Sequence, residues 1–367
     1  MSTKRVPICN SELRRRISVL TVAITPRLLC HNPNRLDMNT MKMKAVIATA
    51  YGGPDVLEIQ EVDRPQPAEN EVLVQVFATV ATTADTMMRT GKPYFGRLFL
   101  GLLRPKQAIM GTGFAGVVEQ VGDRVTGFKP GDRVFGETTT SFGANAEYVA
   151  VAEDGVILKM PDGLPFSEAA AFCDGHLTSF NFLKRIAGIQ PGQKILINGA
   201  AGSLGTAAVQ LAKYYGGHVT GVCSGRNTGL VKSLGADKVI DYTKVDFTQI
   251  NEQYDVIYDS VGKSSFMKSK QVLAKNGLYL SPVLSLPLLL RMLLNPVLGG
   301  RKAKFEATGL LSDSELRKLL VGVAELYRIG RLRTVIDRQY PLEKTPEAHG
   351  YISGGHKKGN VVIMVRP

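Results

Sequence analysis

Ala200, Gly202 and Gly205 fill the three small positions of a G-x-G-x-x-G turn within the stretch KILINGAAGSLG, residues 194–205. Before them, Ile195, Leu196 and Ile197 form an apolar run suited to a strand buried on both faces. After them, residues 206–215 carry helical apolar spacing. Small residues let the backbone approach phosphates, while the N–H groups of Ser203 and Leu204, at the positive end of the helix dipole, attract an anion. The chemistry is pyrophosphate capture, and the ligand implied is a dinucleotide. A Gly-rich turn that binds nothing has the same pattern.

Folds of this kind that take NAD carry an acid roughly 20 residues past the first glycine, at the end of the second strand. Cys223, Ser224, Gly225, Arg226 and Asn227 occupy that place. No carboxylate is there to bind a ribose 2′-hydroxyl, and Arg226, close to Ser224, suits a 2′-phosphate. A charge-assisted hydrogen bond contributes roughly 1.5–3 kcal/mol, about 10- to 150-fold in favour of NADPH. NADPH is the expected cofactor, with an ordinary solvated arginine as the alternative.

The elements that must position this turn are legible on either side of it. Strands at His218–Cys223, Lys238–Asp241 and Tyr254–Asp259, with a helix at residues 230–234, give the βαβ alternation of an α/β fold with a doubly wound parallel sheet. The front half reads as β-rich, with strands at 45–50, 57–62, 72–78, 116–121, 133–135 and 146–151. Turns at Gly52-Gly53-Pro54, Gly122-Asp123 and Pro130-Gly131-Asp132 separate them.

Composition narrows the class. The chain's 367 residues suit two domains, and 44% hydrophobic with 21% charged residues fits a folded protein. Cys9, Cys30, Cys173 and Cys223 are scattered without a C-x-x-C pair, which argues against a zinc knuckle or a disulfide framework. The formal net charge is +13, but residues 1–43 hold eight Lys or Arg against two acids. Nearly half the excess thus lies in one leader, and nucleic acid is not the expected partner. Residues 1–42 read as a basic tail or an over-extended start ahead of Met41 and Met43, with a mitochondrial presequence as the alternative. A cytoplasmic location is expected, mitochondrial or membrane-peripheral placement being the alternatives. The apolar segment 280–298 is interrupted by Pro282, Pro287, Arg291 and Pro296 and is a poor bilayer span. A buried wall or dimer surface is expected there, and an apolar substrate entrance or a peripheral membrane contact stays open.

Five segments together are similar to the medium-chain dehydrogenase/reductase superfamily: MKAVIATAYGGPDVLEI (43–59), GFAGVVEQVGDRVTGFKPGDRVFG (113–136), GAAGSLGTAAVQLAK (199–213), LGADKVIDY (234–242) and YDVIYDSVG (254–262). The resemblance covers residues 43–367. It points to the zinc-free quinone oxidoreductase and ζ-crystallin branch, which includes the plant chloroplast-envelope homologues. It implies a GroES-like β-rich catalytic domain over 43–168, a Rossmann domain over 169–312, and a return of 313–367 to the catalytic domain. Zinc-dependent members place a Cys three residues before an Asp, a His-Glu pair after a Gly, and a third ligand four residues before a Thr. The matching positions here are Thr82, Thr112 with Gly113, and Asp174. A catalytic zinc needs three protein donors, so no metal is expected.

Without a Lewis acid, the substrate implied is one that accepts hydride readily, a small hydrophobic quinone or α,β-unsaturated carbonyl. The resemblance makes Thr82 the first candidate donor to the developing oxyanion and Tyr94 the second, since Met87 and Pro93 replace two tyrosines often found in the branch. His176 is a candidate proton relay or a packed side chain. Thr178 is placed at the nicotinamide, Tyr242 at the adenosine phosphate, Val261 at the adenosine ribose and Lys358 near the phosphates. A homodimer is expected. An NADP-dependent alcohol dehydrogenase or carbonyl reductase, and a non-enzymatic NADPH- or RNA-binding protein, remain open on the same fold.

Overall fold

The computed structural model describes residues 41–366 apart from 93, 107 and 299. The basic leader and its presequence alternative, bar Met41 and Lys42, lie outside the described residues, as do Cys9, Cys30 and Pro93. Residues Met41–Pro367 group as one compact unit.

The front half opens with an antiparallel pair, β1 (Lys42–Ala48) and β2 (Leu57–Asp63), in continuous register from Lys42↔Asp63 to Ala48↔Leu57. A larger sheet follows from β3 (Glu71–Ala81), β4 (Gly113–Val121), β5 (Arg133–Glu137), β6 (Tyr148–Ala152) and β7 (Val156–Lys159). Val72, Val74 and Val76 alternate along β3 into a core shared with Phe114, Val134 and Ile157, the period-2 pattern of a strand with one face inward.

The second sheet is wholly parallel: β8 (Lys194–Asn198), β9 (His218–Cys223), β10 (Lys238–Asp241), β11 (Tyr254–Asp259), β12 (Leu273–Ser281) and β13 (Lys302–Phe305), in the order β10-β9-β8-β11-β12-β13. The apolar run of β8 is explained by what lies on each side. Ile195 and Ile197 enter the core that joins the two sheets, and Leu196 enters a second core with Val222, Ile257 and Tyr279. Burying each such side chain stabilises the fold by roughly 1.5–3 kcal/mol. The strand order reverses beside β8, so the carboxyl ends of β8 and β11 flank a crevice, the place where such sheets bind ligands.

Five helices matter to the site and its surroundings: α1 (Thr83–Thr90), α2 (Gly175–Phe180), α3 (Ser203–Tyr214), α4 (Leu286–Leu298) and α5 (Asp313–Arg328). The chain then returns to the front sheet through β14 (Ile336–Pro341) and β15 (Asn360–Met364), with β15 antiparallel to β3 from Val361↔Ala81 to Met364↔Ala78. On the way Gly359 donates its N–H to the Ala201 carbonyl at 2.8 Å, which lays the end of the chain against the Gly-rich turn.

The apolar segment departs from expectation in two respects. Pro282 does interrupt it, in the turn between β12 and α4, whereas Pro287 does not, because it lies in the first turn of α4, where the missing N–H has no intrahelical partner to lose. Nor is it a buried wall, because five of its leucines face solvent. No described helix is long and apolar enough to cross a membrane.

Candidate active site

The turn after β8 is shaped by close backbone packing. Gly199 adopts φ +81°, and the N–H groups of Gly199 and Ala200 both donate to the Val222 carbonyl at 3.0 Å. Gly202 is the N-cap of α3 and makes no side-chain cap bond, so the first N–H groups of the helix point out of the turn without a built-in acceptor. A Cβ on Gly205 would lie 2.1 Å from the Gly199 carbonyl oxygen, which is why that third position must be glycine. α2 sits on this first turn: Ser179 donates to the Leu204 carbonyl at 2.8 Å, and Gly175 lies against the Ser203 carbonyl, bringing Thr178 to the same end of α3.

The residues expected at the ribose gather at the carboxyl ends of β9 and β10. Ser224 accepts from Asn227 Nδ2 at 3.2 Å, and Tyr242 donates its N–H to Cys223 and is otherwise exposed. Arg226 is exposed and makes no hydrogen bond or ion pair among the described residues. One carboxylate that the sequence pattern did not flag, Asp241, adjoins Gly225. The Thr243 hydroxyl and N–H, joined by the Gly225 N–H, hold it below the usual carboxylate range, so it anchors the turn. Val261 packs against Gly199 at the switch point.

The cation near the phosphate turn is Lys357 rather than Lys358. Lys357 Nζ donates to Ser203 Oγ at 3.1 Å, whereas Lys358 is tied by its backbone N–H to Asp337 at 2.8 Å and its side chain is exposed.

Between the two sheets lies a polar floor. Thr82, 5% exposed, caps α1: its N–H and hydroxyl donate to Asp85 Oδ2 at 2.8 and 2.9 Å, and it accepts the Asp85 N–H. Its one hydroxyl proton is therefore engaged, and Thr82 is a helix cap here, not a free oxyanion donor. The T-x-x-D spacing of a capping box was readable in the sequence. Thr82→Val is expected to lower stability by about 1 kcal/mol, as loss of a cap does, measured by urea unfolding.

Asp85 is fully buried with Oδ1 unpartnered. Burial raises it to about 6 against its bonds from Thr82, with the Asp174 carboxylate raising it further and the Lys357 ammonium lowering it. Glu137, at the end of β5, was not singled out by any sequence pattern. Burial, and after it the Asp174 carboxylate, pushes it up to about 8, against a bond from the Thr112 hydroxyl. A carboxyl that keeps its proton when folded and loses it when unfolded makes stability fall as pH rises between the two pKa values. Asp85 acts in this sense only up to about 6, and the depressed His176 and His349 act below about 6.5. Stability is therefore expected to fall by roughly 1.5 kcal/mol between pH 6.5 and 8, and Glu137→Gln to flatten that slope in urea unfolding.

Two sequence candidates leave the site. His176 is 1% exposed, its ring nitrogens face the Ala171 and Arg333 carbonyls at 3.4 Å, and burial lowers its pKa. It is a packed histidine with no opening to a substrate. Tyr94 is 65% exposed, with Arg97 5.0 Å from its ring centroid. Its loop contributes Leu98, Leu102 and Leu103 to a recess of about 900 Å³ beside β1, which no residue of the phosphate turn lines.

Two family models match the chain: an alcohol dehydrogenase GroES-like domain over residues 68–162 and a zinc-binding dehydrogenase over residues 234–363. The chain is 35% identical over 339 residues to a 2-methylene-furan-3-one reductase of Solanum lycopersicum, covering 89% of this chain and 80% of the relative. It belongs to the medium-chain dehydrogenase/reductase superfamily. This medium-chain dehydrogenase/reductase is also 30% identical to an NADPH-dependent alkenal/one oxidoreductase, chloroplastic, of Arabidopsis thaliana over 338 residues, 89% of this chain and 80% of the relative. It superposes on the quinone oxidoreductase from Coxiella burnetii with a TM-score of 0.79 at 28% identity, covering 89% of this chain and 100% of that one. It is a nicotinamide-dependent oxidoreductase by family. The zinc named in one matched model does not fit its residues. Thr82 caps a helix, Thr112 serves Glu137, Gly113 has no donor, and near Asp174 the Cys173 thiol and the His176 ring are turned to backbone carbonyls. Among the described residues no group of three or more His, Cys, Asp or Glu is placed to hold a metal ion.

Proposed function

We propose that the protein is a zinc-independent, NADPH-dependent reductase of quinones or α,β-unsaturated ketones. The observation that carries this reading is a complete phosphate turn, with Arg226 unpaired at its ribose end, opening beside a polar floor whose donors do not fit zinc. The relatives' names agree in kind. A 2-methylene-furan-3-one has a carbon–carbon double bond conjugated to its ketone, and quinones and alkenones likewise take hydride without strong Lewis-acid activation.

NADPH, when bound, supplies the hydride. The N–H groups of Ser203 and Leu204 hold the pyrophosphate across the small residues Ala200, Gly202 and Gly205, with Lys357 beside them. Ser224 and Arg226 hold the 2′-phosphate, Tyr242 and Val261 flank the adenosine, and Thr178 borders the nicotinamide. Hydride addition to the acceptor leaves charge on its oxygen, and a proton must follow. Glu137 keeps its proton to about pH 8 and is the member of the floor with one to give at neutral pH. A homodimer is expected on the family resemblance, and sedimentation velocity tests it. The reductase reading is tested by following NADPH oxidation in chelator with quinones, enones and saturated aldehydes. Turnover confined to the first two classes supports it; equal turnover of saturated aldehydes, or none with any acceptor, overturns it.

A further inference from the structure

Glu137 ends β5 in a notch between two turns that come from different sheets. On one side residues Thr139–Ser141 follow β5, on the other residues Thr308–Leu310 follow β13, and the two turns lie against each other. Gly309 faces the carboxyl. A Cβ built on it would lie 3.8 Å from Glu137 Oε1 and, its chain neighbours aside, within 4 Å of no other atom of the described residues, so the space beside the carboxyl is open. Glu137 is itself half-buried rather than sealed.

Both turns are pinned. Asn181 Nδ2 donates to Thr308 Oγ1 at 3.0 Å and to Glu306 Oε2 at 2.8 Å, and Arg185 donates to the same carboxylate oxygen. Opposite, Thr138 donates its N–H and its hydroxyl to the Thr112 carbonyl at 2.9 and 3.3 Å. Thr139 and Phe142 are the described non-glycine residues with positive φ, +50° and +55°. Such strain persists where the surroundings over-determine it, and it gathers at ligand sites. On this fixed turn Leu311 packs against the core that joins the sheets, whereas Leu310 is 74% exposed. One exposed leucine means little alone. Here it stands next to the glycine that faces an open carboxyl, and an apolar wall with one convergent polar group is the make-up of a small-molecule site. Burial, followed by the Asp174 carboxylate and then those of Asp85 and Asp313, holds Glu137 up at about 8 against its bond from Thr112, so at neutral pH the polar group is a hydrogen-bond donor.

We propose that this notch seats the acceptor, its ketone oxygen on the Glu137 carboxyl beside Gly309 and the alkyl group of its carbonyl carbon on Leu310. The inference rests on the reductase reading and deepens it, because it names which end of an enone the site selects. The substituent on the carbonyl carbon lies next to the oxygen and so next to Leu310, whereas one on the β carbon lies at the end that receives hydride, two bonds farther away.

The test is kcat/KM of the full chain at saturating NADPH with two series of enones: vinyl ketones whose alkyl group on the carbonyl carbon runs from methyl to pentyl, and methyl ketones with the same groups on the β carbon. In the first series the value is expected to rise about two- to fourfold per methylene, as for half to full removal of that group from water, and in the second to stay nearly flat. Leu310→Asn is expected to flatten the first series. Gly309→Val fills the notch at a position that requires no positive φ, and is expected to lower kcat/KM for every enone at least about tenfold. The KM for NADPH should hold within about twofold in both variants. A flat first series, equal slopes in the two series, an unchanged slope in Leu310→Asn, or a KM for NADPH that rises in either variant overturns the proposal and leaves the reductase reading standing. Absence of turnover with every enone overturns both.

Discussion

Arg226→Ala is expected to raise the KM for NADPH by about 10- to 150-fold while leaving that for NADH nearly unchanged, the range of one charge-assisted hydrogen bond. Arg226 is exposed and makes no bond among the described residues, so its removal orphans no partner. The stability change should stay within about 0.5 kcal/mol, as for surface substitutions generally. Asp241, the carboxylate beside the same turn, is held by Thr243 and the Gly225 N–H and is not released by the change. Steady-state kinetics with both cofactors reads the result. An equal rise for NADPH and NADH removes Arg226 from the 2′-phosphate site.

Gly205→Ala is expected to weaken NADPH binding by about 100-fold or more and to cost roughly 1–3 kcal/mol of stability. The added Cβ would meet backbone atoms only: the Gly199 oxygen at 2.1 Å and the Ala200 Cα and carbonyl carbon at 2.7 and 2.8 Å. A backbone cannot turn aside as a side-chain tip can, so α3 must retreat from the turn. Ser203 and Leu204 then lose their aim at the phosphates, and two charge-assisted bonds go with them. Gly202→Ala is the internal control for stability. Its Cβ would meet the Gly199 oxygen at 3.5 Å, an ordinary contact, so it should cost no more than the roughly 0.5–1 kcal/mol of alanine in place of glycine at an N-cap. Cofactor titration and urea unfolding of both variants measure the contrast, and unimpaired NADPH binding by Gly205→Ala contradicts the account of the turn.

The parts of the site that lie within one local stretch were legible in the sequence. β8, β9, β10 and β11 announce themselves by apolar runs bounded by glycine and polar turns, and the three small positions of the phosphate turn sit in one stretch. What was not legible depends on contacts between distant residues. Lys357 and Lys358 are indistinguishable by spacing, and only the approach of Gly359 to Ala201 decides which ammonium meets Ser203. Glu137 looks like any strand-end glutamate until Asp174 and burial reach it through the fold. His176 stayed open between a proton relay and a packed side chain because helical spacing does not say which side of α2 meets the core, and the structure shows it packed. Thr82 is different: its capping pattern with Asp85 was present in four residues, and a functional expectation from resemblance overshadowed it. In the apolar segment Pro282 marks a break and Pro287 does not, because position within a helix sets the cost of proline.

The most direct test of the central claim uses NADPH deuterated at the nicotinamide C4, with chelator present throughout, and a conjugated enone as acceptor. The account predicts a saturated ketone with deuterium on the carbon β to the carbonyl. Deuterium on the carbonyl carbon, giving an unsaturated alcohol, or activity that disappears in chelator, would contradict it.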